Sequence, residues 1–433
     1  MNFLKRIIPI GFKKAIIRLI KPFNKVYLKN EITKAAKNHE IAVKKLKGTN
    51  NKLKVVFFLI NVDAWKLDSV YHEFKKQENY DPLVVICPFI NKGEEFLLKE
   101  LQKGIDYSIV KNYKYLVGYD RSKMVAVDVK KKIDPDIVFF TNPNDLSSKE
   151  FLIGNYSDKL TCYIPYSFRI DKLYKYSYDS RLVNLVWLNF FETNIHKSLA
   201  RIYATNKGEN VVVSGFPFLD SYRDDLKYDK IWKKGSEERK KIIWAPHWTI
   251  KNAQDTGLDW SCFLDYSEFI LRIAVKYKDK IQLAIKPHPF LKITLSQEKL
   301  WGIEKTETYF KKWEELENCQ IVDGDYKGLF MESDALIHDS GSFMAEYLAL
   351  NKPMGYTANT KLLKNRFNEF GVKALSCHSL IGSENDLENF INNVIENVDL
   401  LGSKRKSVIL EQKINIGKTS AEKIVNYIEN KLR

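Results

Sequence analysis

Short, mostly apolar runs alternate with longer amphipathic stretches along most of the chain. The runs have the length of buried strands and cover residues 55–60, 83–87, 137–140, 160–165 and 211–215, followed by 242–246, 281–285, 319–322, 335–338 and 353–356. Between them, stretches such as 66–77, 93–104 and 266–277 have the length and apolar periodicity of helices. Near-continuous apolar strands that alternate with helices are typical of parallel sheets covered on both faces. The pattern therefore predicts an α/β fold.

One charge-rich segment interrupts this alternation. Residues 220–241 contain many lysines and no apolar run, which is typical of a linker between domains. We therefore expect two Rossmann-like domains of similar size, over 49–225 and 241–400, joined by a linker over 226–240. The tail, 401–433, has the pattern of C-terminal helices. Ligands of doubly wound sheets bind at the carboxyl ends of the strands, so we expect the site in a cleft between the two domains.

Charge is concentrated at the amino-terminal end. The chain of 433 residues has a formal net charge of +16 at pH 7, and its first fifty residues, with thirteen Lys or Arg and two Glu, carry +11 of it. From residue 12 the spacing is helical, with apolar residues on one face and basic residues largely on the other. The apolar face comprises Phe12, Ala15, Ile16, Leu19 and Ile20, and the basic face comprises Lys13, Lys14, Arg18 and Lys21.

This pattern predicts an anionic partner at one end of the molecule. We expect residues 1–48 to form a basic amphipathic arm that holds the protein peripherally on the anionic, cytoplasmic face of the cell membrane. A helix docked on the body of the protein is the alternative. No apolar run reaches the ~18 residues of a membrane span, and charges interrupt the apolar stretch that a signal peptide requires. No base-reading motif accompanies the charge, so nucleic acid is not an expected partner.

The cysteines indicate a reducing compartment. Five of them, at positions 87, 162, 262, 319 and 377, are scattered without a paired spacing. An odd, dispersed set in a chain of this length argues against a disulfide framework or a structural zinc site. We expect them to be small buried residues.

Two of the apolar runs end in histidines with candidate chemistry. His247 follows a proline, and Trp244 and Trp248 on either side of it are candidates to stack on a base or a sugar. His288 lies between two prolines, with Lys286 just before them. A histidine held in so stiff a turn can act as a general acid or as a cationic partner of a phosphate. Packing without a ligand is the alternative for both histidines.

A third run, 335–338, ends in the polar turn Asp339–Ser340–Gly341–Ser342, after which a helix begins near Phe343. Backbone N–H groups at a helix start, with serine hydroxyls and a glycine that permits close approach, form an anion site, usually for phosphate. Glu346 lies one helical turn beyond Ser342, where its carboxylate can accept hydrogen bonds from ribose hydroxyls. An ordinary helix cap is the alternative for the turn.

Together these motifs resemble those of the CDP-glycerol glycerophosphotransferase family of teichoic-acid and capsule enzymes. The resemblance covers residues 241–356 and lies in Trp244–Ala245–Pro246–His247–Trp248, in His288–Pro289, and in Asp339–Ser340–Gly341–Ser342 with Glu346 and Lys352–Pro353. It implies a glycosyltransferase B-type fold. It also implies a donor site in which His288 and the serine turn contact the diphosphate, and Glu346 contacts the ribose or cytidine end.

The chain departs from the family pattern in two places. His247–Trp248–Thr249 stands where the pattern has threonine, tryptophan and arginine, and Tyr166 stands where a histidine in the amino-terminal half would supply the base. A tyrosine with its ordinary pKa of about 10 is a poor base at neutral pH. The base is then His247, His196 or a carboxylate such as Asp63, with Tyr166 kept as a catalytic candidate beside His288 and His247.

The expected function is that of a transferase that moves glycerophosphate from a CDP-activated donor to a lipid-linked acceptor in teichoic acid or capsular polysaccharide synthesis. A glycosyltransferase or epimerase-type enzyme that uses a nucleotide sugar is one alternative, and a non-catalytic nucleotide-binding subunit is another. Lys286, His288 and the helix start can neutralise phosphate charge without a metal, so no metal or cofactor is expected. Asp323–Gly324–Asp325 is expected to be a turn.

Overall fold

Two parallel sheets, one from each half of the chain, form the framework of the protein. The computed structural model describes residues 10–223, 230–234, 238–250, 259–358, 363 and 366–433, and the side chains among them from residue 26 onward. Helices cover both faces of each sheet, as the alternation of apolar runs and amphipathic stretches predicted. The α/β class is therefore confirmed.

The first sheet has the strand order β3-β2-β1-β6-β7-β8-β9, and all of its neighbouring strands run parallel. The strands of this half are β1 (Leu53–Leu59), β2 (Tyr80–Ile86), β3 (Tyr115–Val117), β4 (Tyr119–Asp120), β5 (Val125–Ala126), β6 (Ile137–Phe140), β7 (Leu160–Tyr163), β8 (Leu188–Phe191) and β9 (Val211–Val213), with β4 and β5 in a separate hairpin. Its helices are α1 (Ile10–Leu46), α2 (Asp68–Lys76), α3 (Glu94–Val110), α4 (Val129–Ile133), α5 (Tyr174–Tyr178), α6 (Arg181–Leu185) and α7 (Asn194–Tyr203).

The second sheet has the order β12-β11-β10-β13-β14-β15, again all parallel. Its strands are β10 (Lys240–Ala245), β11 (Ile281–Ile285), β12 (Cys319–Ile321), β13 (Ala335–His338), β14 (Met354–Thr357) and β15 (Ser379–Ile381). The helices are α8 (Phe263–Lys276), α9 (Leu291–Leu295), α10 (Gly302–Glu315), α11 (Lys327–Glu332), α12 (Phe343–Glu346), α13 (Glu369–Leu375), α14 (Glu384–Ile395), α15 (Gly402–Gln412) and α16 (Ser420–Leu432). This is the order of a doubly wound dinucleotide-binding sheet, whose topological switch point falls between β10 and β13.

Helix α1 is docked on the first half along its described side chains. Ala35, His39 and Ala42 are buried against that half, the Glu31 carboxylate pairs with Arg181 at 2.6 Å, and Asn38 donates to a backbone carbonyl at 2.9 Å. The docked alternative therefore applies to this part of the predicted arm. The predicted apolar and basic faces between residues 12 and 21 lie outside the residues whose side chains the structure describes.

The last helix, α16, packs on the first half although it ends the second. Its apolar face, which includes Ile424 and Ile428, is buried in the core of the first sheet and lies beside α2. The Asp220 carboxylate accepts hydrogen bonds from the N–H groups of Ser420 at 2.7 Å and Ala421 at 3.0 Å. The predicted tail 401–433 is therefore helical, but its final helix crosses back to the first half because its apolar face is buried there.

The described part of the predicted linker 226–240 packs against the second sheet. Trp232 is buried, and its indole N–H donates to the Leu329 carbonyl at 3.1 Å. The Lys233 backbone N–H donates to the Gln320 side chain at 2.7 Å. Residues 224–229 and 235–237 lie outside the described residues.

The carboxyl edges of the two sheets face each other across a cleft. Lys66, which follows β1, donates to the Tyr326 hydroxyl beyond β12 at 2.8 Å. Lys92, which follows β2, places its ammonium 3.7 Å from the centroid of the Phe290 ring beyond β11. The segment before α13 closes one end of the cleft, since the Asn368 N–H donates to the Ile170 carbonyl at 2.8 Å.

All five cysteines are buried, as expected from their scattered spacing.

Within the part of the chain that the structure describes, no helix is both long enough and apolar enough to cross a membrane.

Candidate active site

The topological switch point of the second sheet carries His247 and Asp339, which follow the adjacent strands β10 and β13. One oxygen of the buried Asp339 carboxylate accepts the His247 backbone N–H at 2.6 Å, and the other accepts the Cys262 N–H at 2.7 Å. Burial raises the pKa of Asp339 to about 7, and the two N–H donors oppose this shift. Asp339 was predicted to bind the donor. Both of its oxygens instead accept backbone N–H groups of neighbouring loops, so Asp339 positions His247.

The side chains of His247 and His288 meet at the mouth of the cleft, with ring centroids 5.0 Å apart. Nδ1 of His247 accepts the Thr249 N–H at 3.2 Å, and Nδ1 of His288 accepts the Phe290 N–H at 3.2 Å. In a neutral imidazole with an acceptor Nδ1, the proton is on Nε2. Each ring therefore has an Nε2–H donor, and no described residue accepts a hydrogen bond from either.

Both rings are neutral at physiological pH. Burial lowers the pKa of His247 to about 3, with smaller contributions from His288 and Arg366. Burial also lowers the pKa of His288 to about 3, assisted by Lys286 and Lys92. His288 was predicted to be a general acid or a cation. It is instead a neutral donor, suited to hydrogen bonding an oxygen that gains negative charge in the reaction.

Lys286 supplies the positive charge of the site. It follows β11 and is 7% exposed, and no described residue makes a hydrogen bond or ion pair with its Nζ. Burial lowers its pKa, while Asp323 and Asp63 act in the opposite direction from a distance. A buried ammonium without a close counter-ion is costly unless an anion joins it. Lys286 therefore marks the position where an anionic ligand fits best.

The polar turn before α12 is half-buried at Ser340, Gly341 and Ser342. Among the described residues, none accepts a hydrogen bond from the N–H groups of Gly341 and Ser342. Helix α12 has four residues, so its macrodipole is small and an anion here would be held by individual N–H and hydroxyl groups. A Cβ on Gly341 would lie 3.4 Å from Trp260, which is ordinary contact, and the glycine is therefore not required by crowding.

Glu346 lies behind this turn on α12 and is buried. One carboxylate oxygen accepts the Tyr326 hydroxyl at 2.6 Å, and Tyr326 in turn accepts from Lys66. Burial raises the pKa of Glu346, while Lys66, Tyr326 and Ser342 hold it down. Glu346 therefore lies beside the turn with one oxygen engaged by Tyr326, and its binding of a ligand hydroxyl stays a prediction.

The two tryptophans that flank His247 have different environments. Trp244 is 2% exposed and stacks between Phe263, at a centroid distance of 5.3 Å, and Trp313, at 5.9 Å. The prediction that Trp244 stacks on a ligand is wrong, because a side chain inside a buried strand has both faces covered. Trp248 is half-buried beside His288 and remains available at the rim of the cleft.

The surroundings of His196, Tyr166 and Asp63 make these side chains poorly suited to act as a general base. His196 is fully buried, with Nδ1 2.8 Å from the Thr193 hydroxyl and Nε2 2.7 Å from the Arg169 carbonyl. Both nitrogens are thus engaged inside the first half, and His196 is excluded as a base. Burial raises the pKa of Tyr166 and keeps the phenol protonated. No ring contact or hydrogen bond among the described residues joins Tyr166 to the histidine pair. Asp63 is paired with Lys103 at 2.7 Å.

Three functional candidates escaped the sequence prediction: Lys66, Lys92 and Tyr326. They belong to loops that follow strands β1, β2 and β12, and each one contacts the opposite half or approaches its site. All three follow predicted strands, which was the available signal. Nothing in their local sequence indicates the partner across the cleft.

No group of three or more His, Cys, Asp or Glu side chains is arranged to hold a metal ion within the described ranges. Asp323–Gly324–Asp325 is exposed, and Gly324 has φ of +78°. Asp325 accepts the Lys327 N–H at 3.0 Å. These contacts form a turn, as predicted.

A family model described as CDP-Glycerol:Poly(glycerophosphate) glycerophosphotransferase matches residues 172–429, which is more than half of the chain. No curated protein matches the chain.

Solved structures with the same fold include two functional groups. The wall teichoic acid polymerase TagF, in a crystal soaked with CDPG, has a TM-score of 0.57 at 13% identity, with 97% of this chain and 98% of that chain covered. A UDP-GlcNAc 2-epimerase from Neisseria meningitidis, bound to UDP-GlcNAc, has a TM-score of 0.54 at 16% identity, with coverages of 88% and 100%. S. aureus MnaA with UDP has a TM-score of 0.52 at 15% identity, with coverages of 87% and 96%. At these identities the likeness shows the fold, which is of the glycosyltransferase B type.

Proposed function

The chain belongs to the CDP-glycerol:poly(glycerophosphate) glycerophosphotransferase family of transferases, and we propose that it transfers glycerophosphate from CDP-glycerol to a lipid-linked polymer acceptor. The single observation that carries the proposal is the buried Lys286 ammonium, which has no counter-ion within hydrogen-bonding distance among the described residues. Burial of an unpaired charge is costly, and an anionic donor phosphate beside Lys286 would remove this cost. The match of TagF, soaked with CDPG, to nearly the whole chain supports this choice of donor.

The proposed chemistry is a displacement at phosphorus. An acceptor hydroxyl oxygen forms a new bond to the phosphorus of the glycerophosphate group and loses its proton to water. The bond to the CMP oxygen breaks, and CMP leaves with the electron pair. Catalysis of phosphoryl transfer is largely positioning and charge stabilisation. Lys286 and the two Nε2–H donors of His247 and His288 are placed to stabilise that charge. A strongly basic side chain is then less critical than the resemblance implied.

We place this reaction at a membrane surface, on the cytoplasmic side. The acceptor is taken to be lipid-linked, and the first fifty residues bring +11 of charge toward anionic lipid.

The direct test is a donor panel. The protein is incubated with CDP-glycerol, CDP-ribitol or UDP-GlcNAc, with and without a prenyl-diphosphate-linked acceptor. We expect CMP release with CDP-glycerol that requires the acceptor, together with a mass gain of one glycerophosphate. Release of UDP or epimerisation of UDP-GlcNAc would overturn the proposal in favour of a nucleotide-sugar enzyme. Binding of nucleotide without any turnover would favour the non-catalytic subunit.

Two lysines that flank β11 test the role of the buried Lys286 ammonium. Lys286 follows the carboxyl end of β11, whereas the exposed Lys280 precedes its amino end. We expect Lys286→Met to weaken donor binding about tenfold to a hundredfold, because it removes a contact to a charged group. Lys280→Met should leave the affinity for CDP-glycerol unchanged. Equal affinities of the two variants, measured by titration calorimetry, would contradict the assignment.

A further inference from the structure

A chain of hydrogen bonds runs from a side chain of the first half of the protein to the turn of the second half. The Lys66 ammonium donates to the Tyr326 hydroxyl at 2.8 Å, and Tyr326 donates to the Glu346 carboxylate at 2.6 Å. The Glu346 backbone N–H donates to the Ser342 carbonyl at 3.0 Å, at the start of α12. Three links therefore connect the loop after β1 with the polar turn after β13.

The first link depends on the arrangement of the two halves. Lys66 lies 260 residues before Tyr326 in the chain and reaches it across the cleft. Its ammonium is 4.3 Å from the Phe218 ring centroid and 5.0 Å from the Tyr326 ring centroid, so aromatic faces surround it. Among the described residues no carboxylate lies within ion-pairing distance of Lys66 Nζ. The Glu346 carboxylate therefore balances the Lys66 charge through the Tyr326 hydroxyl that links them.

The second link constrains the buried carboxylate. Glu346 is 1% exposed, and the groups that face it are Tyr326, Tyr222, Ser342 and Lys66. Of these four groups, Lys66 carries the positive charge. If the first half moved away, the carboxylate would stay buried without its cation, which favours protonation or a change of rotamer. Either change would disturb α12 directly behind the Ser340–Ser342 turn.

We propose that Lys66 is a positioning residue that acts through Tyr326 and Glu346 to set the Ser340–Ser342 turn for the donor. The inference rests on the proposed function, since it takes that turn as the place of the donor nucleotide. It adds that a residue of the first half helps to set the donor site of the second half.

The test measures donor binding in variants of the first two links. CDP-glycerol is titrated calorimetrically into wild type, Lys66→Met, Tyr326→Phe and the double variant, from pH 5.5 to 8. We expect each single variant to bind about tenfold to a hundredfold more weakly. The double variant should be no weaker than the weaker single one, since residues of one network do not act additively. Lys66→Arg should recover part of the affinity.

The pH dependence separates positioning from a merely structural role. Without Lys66 the Glu346 carboxylate takes up a proton at higher pH, so the affinity of Lys66→Met should begin to fall at a higher pH than that of wild type. Lys76→Met is the matched control, because the Lys76 side chain is 69% exposed on α2 and pairs with Glu73. It should match wild type at every pH. Thermal melting of all variants identifies any that fail to fold, and Tyr326→Phe, which retains the ring, then carries the test.

Three results would overturn the proposal: unchanged affinity in Lys66→Met, single-variant effects that multiply in the double variant, or an unshifted pH profile. Failure of the proposed function has a different signature. In that case wild type binds UDP and not CDP-glycerol, and the same variants titrated with UDP still decide whether Lys66 positions the turn.

Discussion

At the residue scale, the histidine pair shows how the backbone determines the role of a side chain. Both rings accept a backbone N–H at Nδ1, and burial holds the pKa of each at about 3. They are therefore neutral donors at pH 7. Prolines on both sides of His288 stiffen the turn that arranges this contact, so the proline motif indicates orientation rather than acidity.

The same pKa values predict acid sensitivity of the fold. A histidine in the unfolded chain has a pKa of about 6.5, so between pH 6.5 and 3 the unfolded state binds more protons than the folded state. The free energy of unfolding is therefore highest above pH 6.5 and falls as the pH drops toward 3, by at most about 1.4 kcal/mol per pH unit for each histidine. His288→Gln removes one such group and keeps an acceptor for the Phe290 N–H.

Urea denaturation at several pH values between 7 and 4 measures this difference. The slope of unfolding free energy against pH should be shallower in His288→Gln than in wild type. Parallel curves for the two proteins would show that His288 is ordinary in the folded state, and the neutral-donor assignment would be lost.

The environment of a residue inside a predicted strand could be predicted better than that of a residue beyond the end of the strand. Trp244 follows the alternation of β10 and is buried with Ile242 on one face, and the rule that predicted the strand should have excluded this side chain as a ligand. Trp248, three residues past the strand, stays at the rim. The contact from Lys66 to Tyr326 had no signal in the sequence, because no local pattern relates loops so far apart.

At the element scale, most strands of the two sheets were predicted as apolar runs, and three were missed. Strands such as β11 and β13 coincide with the predicted runs. Strand β8 was missed because Asn189 interrupts its apolar run, although the buried amide donates to the Val183 carbonyl at 2.8 Å. Strands β3 and β15 were also missed. Both are partly exposed along their three residues, whereas the equally short β9 and β12 fall within predicted runs.

The attachment of α16 gives a prediction at this scale. Asp220→Ala leaves the N–H groups of Ser420 and Ala421 buried without their acceptor. We expect a loss of about 1.5–3 kcal/mol in the free energy of unfolding. Hydrogen exchange should become faster along α16, measured by mass spectrometry of C-terminal peptides.

A second aspartate that caps a helix provides the control. Asp128 accepts the Lys131 N–H at the start of α4, and its side chain is 41% exposed. Asp128→Ala should cost about 1 kcal/mol, as exposed caps do, and leave exchange in α16 unchanged. Equal destabilisation by the two substitutions would mean that Asp220 acts as an ordinary cap and does not join the halves.

At the scale of the whole molecule, the two doubly wound sheets and the cleft between them followed from the sequence pattern, but the contacts that join the halves did not. Alternating strands and helices predict a doubly wound sheet in each half. The contacts that join the halves, such as that of Asn368 with Ile170, lie between segments distant in the chain. The final helix returns to the first half for a related reason: its apolar face fits a surface that exists once the first half has folded.

The amino-terminal arm is predicted to bind anionic membranes, and a truncation that spares the docked part of α1 tests this. Removal of residues 1–25 deletes seven Lys or Arg and leaves the docked part with Glu31 and Ala35 in place. The full chain should sediment with vesicles that contain anionic phosphatidylserine, and the truncated chain much less. High salt should weaken the binding of the full chain, because surface electrostatics is screened, and neutral phosphatidylcholine vesicles should bind it poorly. If both chains sediment equally with anionic vesicles, the membrane contact belongs to another surface of the protein.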